Sequence, residues 1–140
     1  MYGGILLPTD GSEGTEQATK HALDHAQTYG ATLHVLHVVN EELMPLDEHS
    51  KKALTVIENE GRESVDEVVD EAEAMDVEVV GAIVHGTPDV AIVEYAREND
   101  VDLVVMGTHG RSGLDRFLIG STTDKVIRTA HVPVLAVPVD

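Results

Sequence analysis

The chain has 140 residues, 42% of them apolar, with nine Lys and Arg against 26 Asp and Glu, a formal charge of −17. One domain of that length buries roughly 68–70% of its unfolded surface, which argues against wholesale disorder. With no cysteine there is no disulfide framework, thiolate zinc site or cysteine nucleophile, and no apolar stretch approaches the ~20 residues of a membrane span.

The first strand is expected at Gly4–Leu7, an apolar run halted by Pro8, Thr9 and Asp10. A helix follows over Glu13–Tyr29, with Ala18, Ala22 and Ala26 four apart and Gly30 as its stop. Leu33–Val39 reads as a second buried strand, and the polar stretch Asn40–Ser50 as a mobile loop. In the next helix Ile57, Val65, Val68, Ala72 and Met75 recur at three- or four-residue multiples, an amphipathic stripe that Gly61 weakens locally. Val77–Val84 is the third strand; after it Thr87 is placed to cap, and Pro88 to open, a helix ending near Asn99. Val101–Met106 gives the fourth strand and Val132–Val137 the fifth. The helix between them is expected to turn Val126, Ile127 and Ala130 inward.

Apolar strands alternating with amphipathic helices predict an α/β fold with a parallel sheet covered on both faces. A doubly wound order of 3-2-1-4-5 places strands one and four side by side, and their C-terminal loops open at the switch point where such sheets bind ligands. Those loops start at Asp10 and Gly107.

The second of them carries the most chemistry. Gly107, Thr108, His109, Gly110, Arg111, Ser112 and Gly113 follow strand four, and Gly120, Ser121, Thr122 and Thr123 open the last helix. Glycine lets backbone approach a ligand closely, and the leading N–H groups of a helix suit phosphate oxygens. Between residues 107 and 123 Arg111 and Arg116 outweigh Asp115, a net charge of +1 in a chain whose remainder carries −18. The plainer alternative is a long glycine turn with Ser121 as a helix cap. The lysine-bearing phosphate loop G-x-x-x-x-G-K-[ST] and the dinucleotide fingerprint G-x-G-x-x-G are both absent.

The frame G-x2-G-x9-G-[ST], here Gly107, Gly110, Gly120 and Ser121, resembles the ATP-binding branch of the universal stress protein family. The resemblance extends to the opening from Ile5 to Ser12, to Leu36-His37-Val38-Val39, to Val104–Gly107 and to the close from Val132 to Val137. It implies one Rossmann-like domain over 1–140, akin to the adenine nucleotide alpha hydrolases. It further implies ATP, with its triphosphate along Gly107–Gly113 and Ser121–Thr123, Pro8, Thr9 and Asp10 beside the adenosine, and the Val38 backbone at the adenine edge. Mg²⁺ is the expected companion of the triphosphate, keeping most of its waters. A homodimer through the last strand, Val132–Val137, is also implied.

Other residues have two readings. Asp10 either meets a ribose hydroxyl or a metal-bound water, or forms an Asx turn. His109 is better suited to positioning a phosphate than to acid–base catalysis, since no orienting partner is evident. His34 and His37, three apart in a strand, face opposite sides, and His21 and His25 lack an H-E-x-x-H context, so these histidines are expected to be surface or satisfied groups. The acidic run Glu58, Glu60, Glu63, Asp66, Glu67, Asp70, Glu71 and Glu73 is a solvated helix face or a mark of adaptation to high salt. The acid is spread along the whole chain, which favours the halophilic reading.

The expected function is a nucleotide-responsive ATP-binding dimer in the stress response, with loops around Gly107–Gly120 and Asn40–Ser50 ordered by ligand. The alternatives are a slow ATP hydrolase or nucleotidyl-transfer enzyme at the same site, or a binder of AMP or a cyclic nucleotide. No basic leader opens the chain and its acidity repels phosphate backbones, so a cytoplasmic protein that binds neither membrane nor nucleic acid is expected.

Overall fold

A computed structural model of the chain describes residues 2–11, 13–40, 51–108 and 120–138. Five strands form one parallel sheet: β1 (Gly4–Pro8), β2 (Thr32–Val39), β3 (Val79–His85), β4 (Leu103–Gly107) and β5 (Val134–Val137). Their order is β3-β2-β1-β4-β5, as expected from the alternation of apolar runs and helices. Among the described residues four α-helices connect them: α1 (Glu16–Tyr29), α2 (Lys51–Ala74), α3 (Pro88–Glu98) and α4 (Ser121–Thr129). The register sets Leu6 between His34 and Val104, and Met106 beside Ala136. Among the described residues no helix is long and apolar enough to cross a membrane.

Alternation along the strands divides the core in two. Ile5, Leu7, Leu33, Val35, Leu103 and Val105 pack against Ala18, Ala22 and Ala26 of α1 and Val65, Val68 and Ala72 of α2. Leu6, Leu36, Val104 and Met106 pack against Ile92 and Ala96 of α3 and Val126 of α4. Because β1 and β4 are apolar on both faces, each helical layer finds a surface to bury, which fixes the double winding.

Several expected boundaries move for local reasons. The first helical turn, Glu13–Thr15, is 3-10 and the α-helix starts at Glu16. Gly30 ends α1 in the left-handed region, at φ 64°, and donates its N–H to the Ala26 carbonyl. β3 begins at Val79, not Val77, because residues 75–77 are engaged in closing α2, where Asp76 adopts φ 58°. β4 likewise begins at Leu103, since the Val101 N–H closes α3 onto the Ala96 carbonyl, and it runs on to Gly107 opposite Val137. β5 starts only at Val134, after Pro133, which has no N–H to donate. Thr87 occupies the N-cap position of α3 with Pro88 behind it, but makes no side-chain cap bond. Ile127 is 42% exposed, contrary to expectation, because it lies about 100° round α4 from the buried Val126. Of the expected loop Asn40–Ser50, residues 41–50 fall outside the described residues.

The two histidines of β2 do point to opposite faces. His34 meets α3, its Nδ1 2.8 Å from the Tyr95 hydroxyl. Burial holds the imidazole below its ordinary value and pushes the phenol up, which fits a neutral Nδ1 accepting from the tyrosine. His37 is buried on the α2 side, where its ring fills the space that Gly61 leaves. A Cβ at Gly61 would stand 2.3 Å from His37 Cδ2 and 2.8 Å from Nε2. Gly61 is therefore a buried member of the α2 stripe, small because a ring from β2 lies against it, and not a weak point.

Gly61→Ala is expected to destabilise the protein by about 1–2 kcal/mol, since overpacking outweighs the ~1 kcal/mol gain in helix propensity; urea denaturation checks this. His34 binds its proton more readily in the unfolded chain than in the folded one, so it withdraws stability as pH falls below the ordinary imidazole value of 6.5. Melting temperatures between pH 7.5 and 5.5 should accordingly fall less steeply in His34→Gln than in the wild type.

Candidate functional site

β1 and β4 adjoin in the middle of the sheet, and the chain leaves them toward opposite layers, β1 to α1 and β4 to α4. A crevice opens where two neighbouring strands send their connections apart. Pro8–Gly11 borders it on one side, and Gly107, Thr108 and the start of α4 border it on the other.

On the β1 side Thr9 is the fixed point. It is 7% exposed. Its N–H donates to the Leu36 carbonyl at 2.8 Å, and its own carbonyl accepts from His37 Nδ1 at 2.9 Å. Its hydroxyl accepts from the Gly11 N–H at 3.2 Å and lies 3.5 Å from the Thr15 hydroxyl. The turn is thus held by Thr9. Gly11 adopts φ 77°, and a Cβ there would meet Ser64 Oγ of α2 at 2.3 Å. The conformation requires glycine at this position, and α2 approaches it closely through Ser64. Pro8 and Asp10 flank Thr9 and are half-buried. Val38, also half-buried, lies two residues beyond Leu36 and pairs with Val84.

On the β4 side the two glycine clusters come together. The Thr108 N–H donates to the Val137 carbonyl at 2.9 Å, and the Thr108 carbonyl accepts from the Gly120 N–H. Thr123 is 4% exposed, and its hydroxyl donates to the Gly107 carbonyl at 2.8 Å. Residues that are 12 and 16 apart in sequence are joined by these two bonds. His109, Gly110, Arg111, Ser112 and Gly113 lie outside the described residues.

The N-cap of α4 is Gly120, so Ser121 is the first helical residue and not its cap. The first backbone bond of the helix runs from the Asp124 N–H to the Gly120 carbonyl at 2.9 Å. The N–H groups of Ser121, Thr122 and Thr123 therefore precede the ladder, at the positive end of the helix. Ser121 is exposed and Thr122 half-buried. Asp124 sets a carboxylate in this first turn, but Arg128 one turn on pairs with it at 3.1 Å, which draws its charge along the helix and away from the leading amides. Such an end can receive an anion.

Thr123, expected beside the triphosphate, spends its hydroxyl proton on Gly107. Two contributors escaped the sequence reading. His37 appeared only as a satisfied histidine, and Ser64 not at all. Strand alternation puts His37 on the same face as Leu33 and Val35, and a polar ring among buried aliphatics must have a partner, so that signal was present. Among the described residues no group of three or more His, Asp or Glu could hold a metal ion. A separate cleft between α3 and α4, lined by Ile92, Ala96, Val104 and Val126, reaches Val101 and Val132 at the opposite end of β4 and β5.

The model of the universal stress protein family matches residues 1–138. The universal stress protein MJ0531 of Methanocaldococcus jannaschii is 36% identical over 140 residues, which cover 98% of this chain and 82% of the relative. MJ0577 of the same organism is 33% identical over 98% of this chain and 95% of its own. The solved structure of MJ0577 superposes with a TM-score of 0.88 at 34% identity, over 98% of this chain and 96% of that one. A universal stress protein solved in complex with cAMP superposes with a TM-score of 0.77 at 29% identity, over 99% of both chains.

Thr123→Val leaves the Gly107 carbonyl without its hydroxyl partner and should cost about 1–3 kcal/mol, while Thr123→Ser should retain most of the stability. Urea denaturation of the two variants side by side makes the comparison.

Proposed function

The chain belongs to the universal stress protein family, and on that premise we propose that it binds ATP in the crevice between the ends of β1 and β4, acting in the stress response as a nucleotide-responsive homodimer. The observation that carries this reading is the closure of Gly120 onto Thr108, which sets the leading amides of α4 beside the end of β4. Phosphate oxygens accept from the N–H groups of Ser121, Thr122 and Thr123 and from the hydroxyls of Ser121 and Thr122. Thr123 contributes its amide alone, its hydroxyl being committed to Gly107. The remaining phosphate contacts fall to Gly107–Gly113. The adenosine lies against Pro8, Thr9 and Asp10, with the Val38 backbone at the adenine edge.

Mg²⁺ bound to the triphosphate neutralises charge and needs few protein ligands. Asp10, half-buried beside the crevice, meets a ribose hydroxyl or a metal-bound water. The edge strand β5 supplies the dimer contact: an unpaired apolar edge is a template for a second copy, and Val134, Leu135 and Ala136 are only half-buried in the single chain. A switch follows if ATP prefers one arrangement of the surrounding loops.

A second reading has its own support. The relative in complex with cAMP favours an adenine mononucleotide, for which the same adenosine contacts serve and fewer phosphate contacts are needed.

Calorimetry with Mg-ATP and with cAMP separates the two. ATP is expected to bind the more tightly, and Gly120→Val or Ser121→Asp should each weaken it at least about tenfold with the circular dichroism spectrum unchanged. Gly120 has φ −60°, which valine tolerates, so the fold should survive. Wild-type affinity in both variants would contradict the phosphate position, and tighter binding of cAMP selects the second reading.

A further inference from the structure

We propose that His37, seated in the notch that Gly61 leaves in α2, is the positioning residue of the Pro8–Gly11 turn, and that it sets how tightly that turn holds the adenosine end of a nucleotide. The second half of this statement rests on the ATP-binding reading above.

His37 is 8% exposed and shares its face of β2 with Leu33, Val35 and Val39. A ring with two nitrogens has no reason to stand among aliphatic side chains unless a hydrogen bond compensates its lost hydration. That bond goes to the Thr9 carbonyl, 2.9 Å from Nδ1. A carbonyl only accepts, so Nδ1 carries the proton and the tautomer is fixed by the contact. Leu36, the preceding residue, accepts from the N–H of the same threonine. Two consecutive residues of β2 therefore grip both backbone groups of Thr9 at the point where β1 gives way to the turn.

The ring keeps this aim because α2 backs it. A Cβ at Gly61 would come within 2.9 Å of three of its atoms, Cδ2, Nε2 and Cγ, closer than any side chain can approach without displacing it. One helical turn farther along α2, Ser64 Oγ lies against Gly11, again too close for a Cβ. One helix thus braces the turn twice, through His37 onto Thr9 and directly onto Gly11. Between these two points stands Asp10. His37 touches the turn at the Thr9 carbonyl and acts through it.

Leucine and asparagine are nearly isosteric, and only asparagine offers an N–H where Nδ1 stands, so His37→Leu and His37→Asn isolate the hydrogen bond from the loss of the ring. In the full chain, amide exchange by NMR should speed up about tenfold or more at Thr9 and Gly11 in His37→Leu relative to Val104 and Val105 of β4. ATP affinity by calorimetry should fall by a similar factor, and His37→Asn should restore both to within about threefold. Gly61→Ala, which displaces the ring and keeps its donor, should reproduce the leucine phenotype and serves if His37→Leu does not fold. Equal exchange at Thr9 and Gly11 in the leucine and asparagine variants overturns the proposal, as a merely space-filling ring would give. Altered exchange with unaltered ATP affinity overturns its nucleotide half. A wild-type protein that binds no ATP defeats the functional reading instead, while the exchange comparison still decides whether His37 holds the turn.

Discussion

The carbonyl of Gly107, the last residue of β4, and that of Thr108 just beyond it are both taken at the start of α4, one by the Thr123 hydroxyl and the other by the N–H of the N-cap Gly120. Everything proposed for the crevice depends on that closure. It ties a helix to the end of a central strand with its unladdered amides facing the switch point, although thirteen residues of chain lie between the two. Without it the glycines on either side would be two unrelated turns. The central position of β4 adds rigidity, since its partners β1 and β5 fix it from both sides and its own side chains are buried on both faces.

Charge gives the closure its significance. The molecule carries −17 overall, and the acidic run of α2 points outward, with Glu60, Glu63, Asp66, Glu67, Asp70, Glu71 and Glu73 all exposed. Glu58 stands apart, half-exposed and 2.8 Å from His85 Nε2. A free phosphate chain approaching such a surface is repelled over about a Debye length, ~8 Å at physiological salt. Local donors at short range must therefore supply the attraction, and a helix N-terminus with paired Asp124 and Arg128 can do so without a cluster of basic side chains. The same acidic face leaves α2 free to be sculpted on its inner side, where Gly61 and Ser64 are small because His37 and Gly11 press against them.

Much of the fold was legible in the sequence because apolar runs on both faces of β1, β2 and β4 leave a parallel sheet as the natural solution. The order of the strands and the alanine stripe of α1 followed. The ends of strands were less legible: Val77, Val101 and Val132 have every propensity for a strand, yet helix closure and Pro133 hold them out of the ladder. Ile127 was misassigned because a hydrophobic residue beside a buried one is not itself buried on a helix. At the site, the bringing together of Gly107, Thr108, Gly120 and Thr123 was foreseen from their placement around one loop. The commitment of the Thr123 hydroxyl, the seat of His37 on Gly61 and the contact of Ser64 with Gly11 were not, because each joins segments far apart in sequence whose spacing carries no local signature.

Backbone amide shifts followed during a titration with Mg-ATP test the central claim most directly. The account predicts that the largest changes fall on Ser121, Thr122 and Thr123 and on Thr9–Gly11, and that they saturate together. Changes confined to Ile92, Ala96 and Val126 along the α3–α4 cleft, with the start of α4 unmoved, would contradict it.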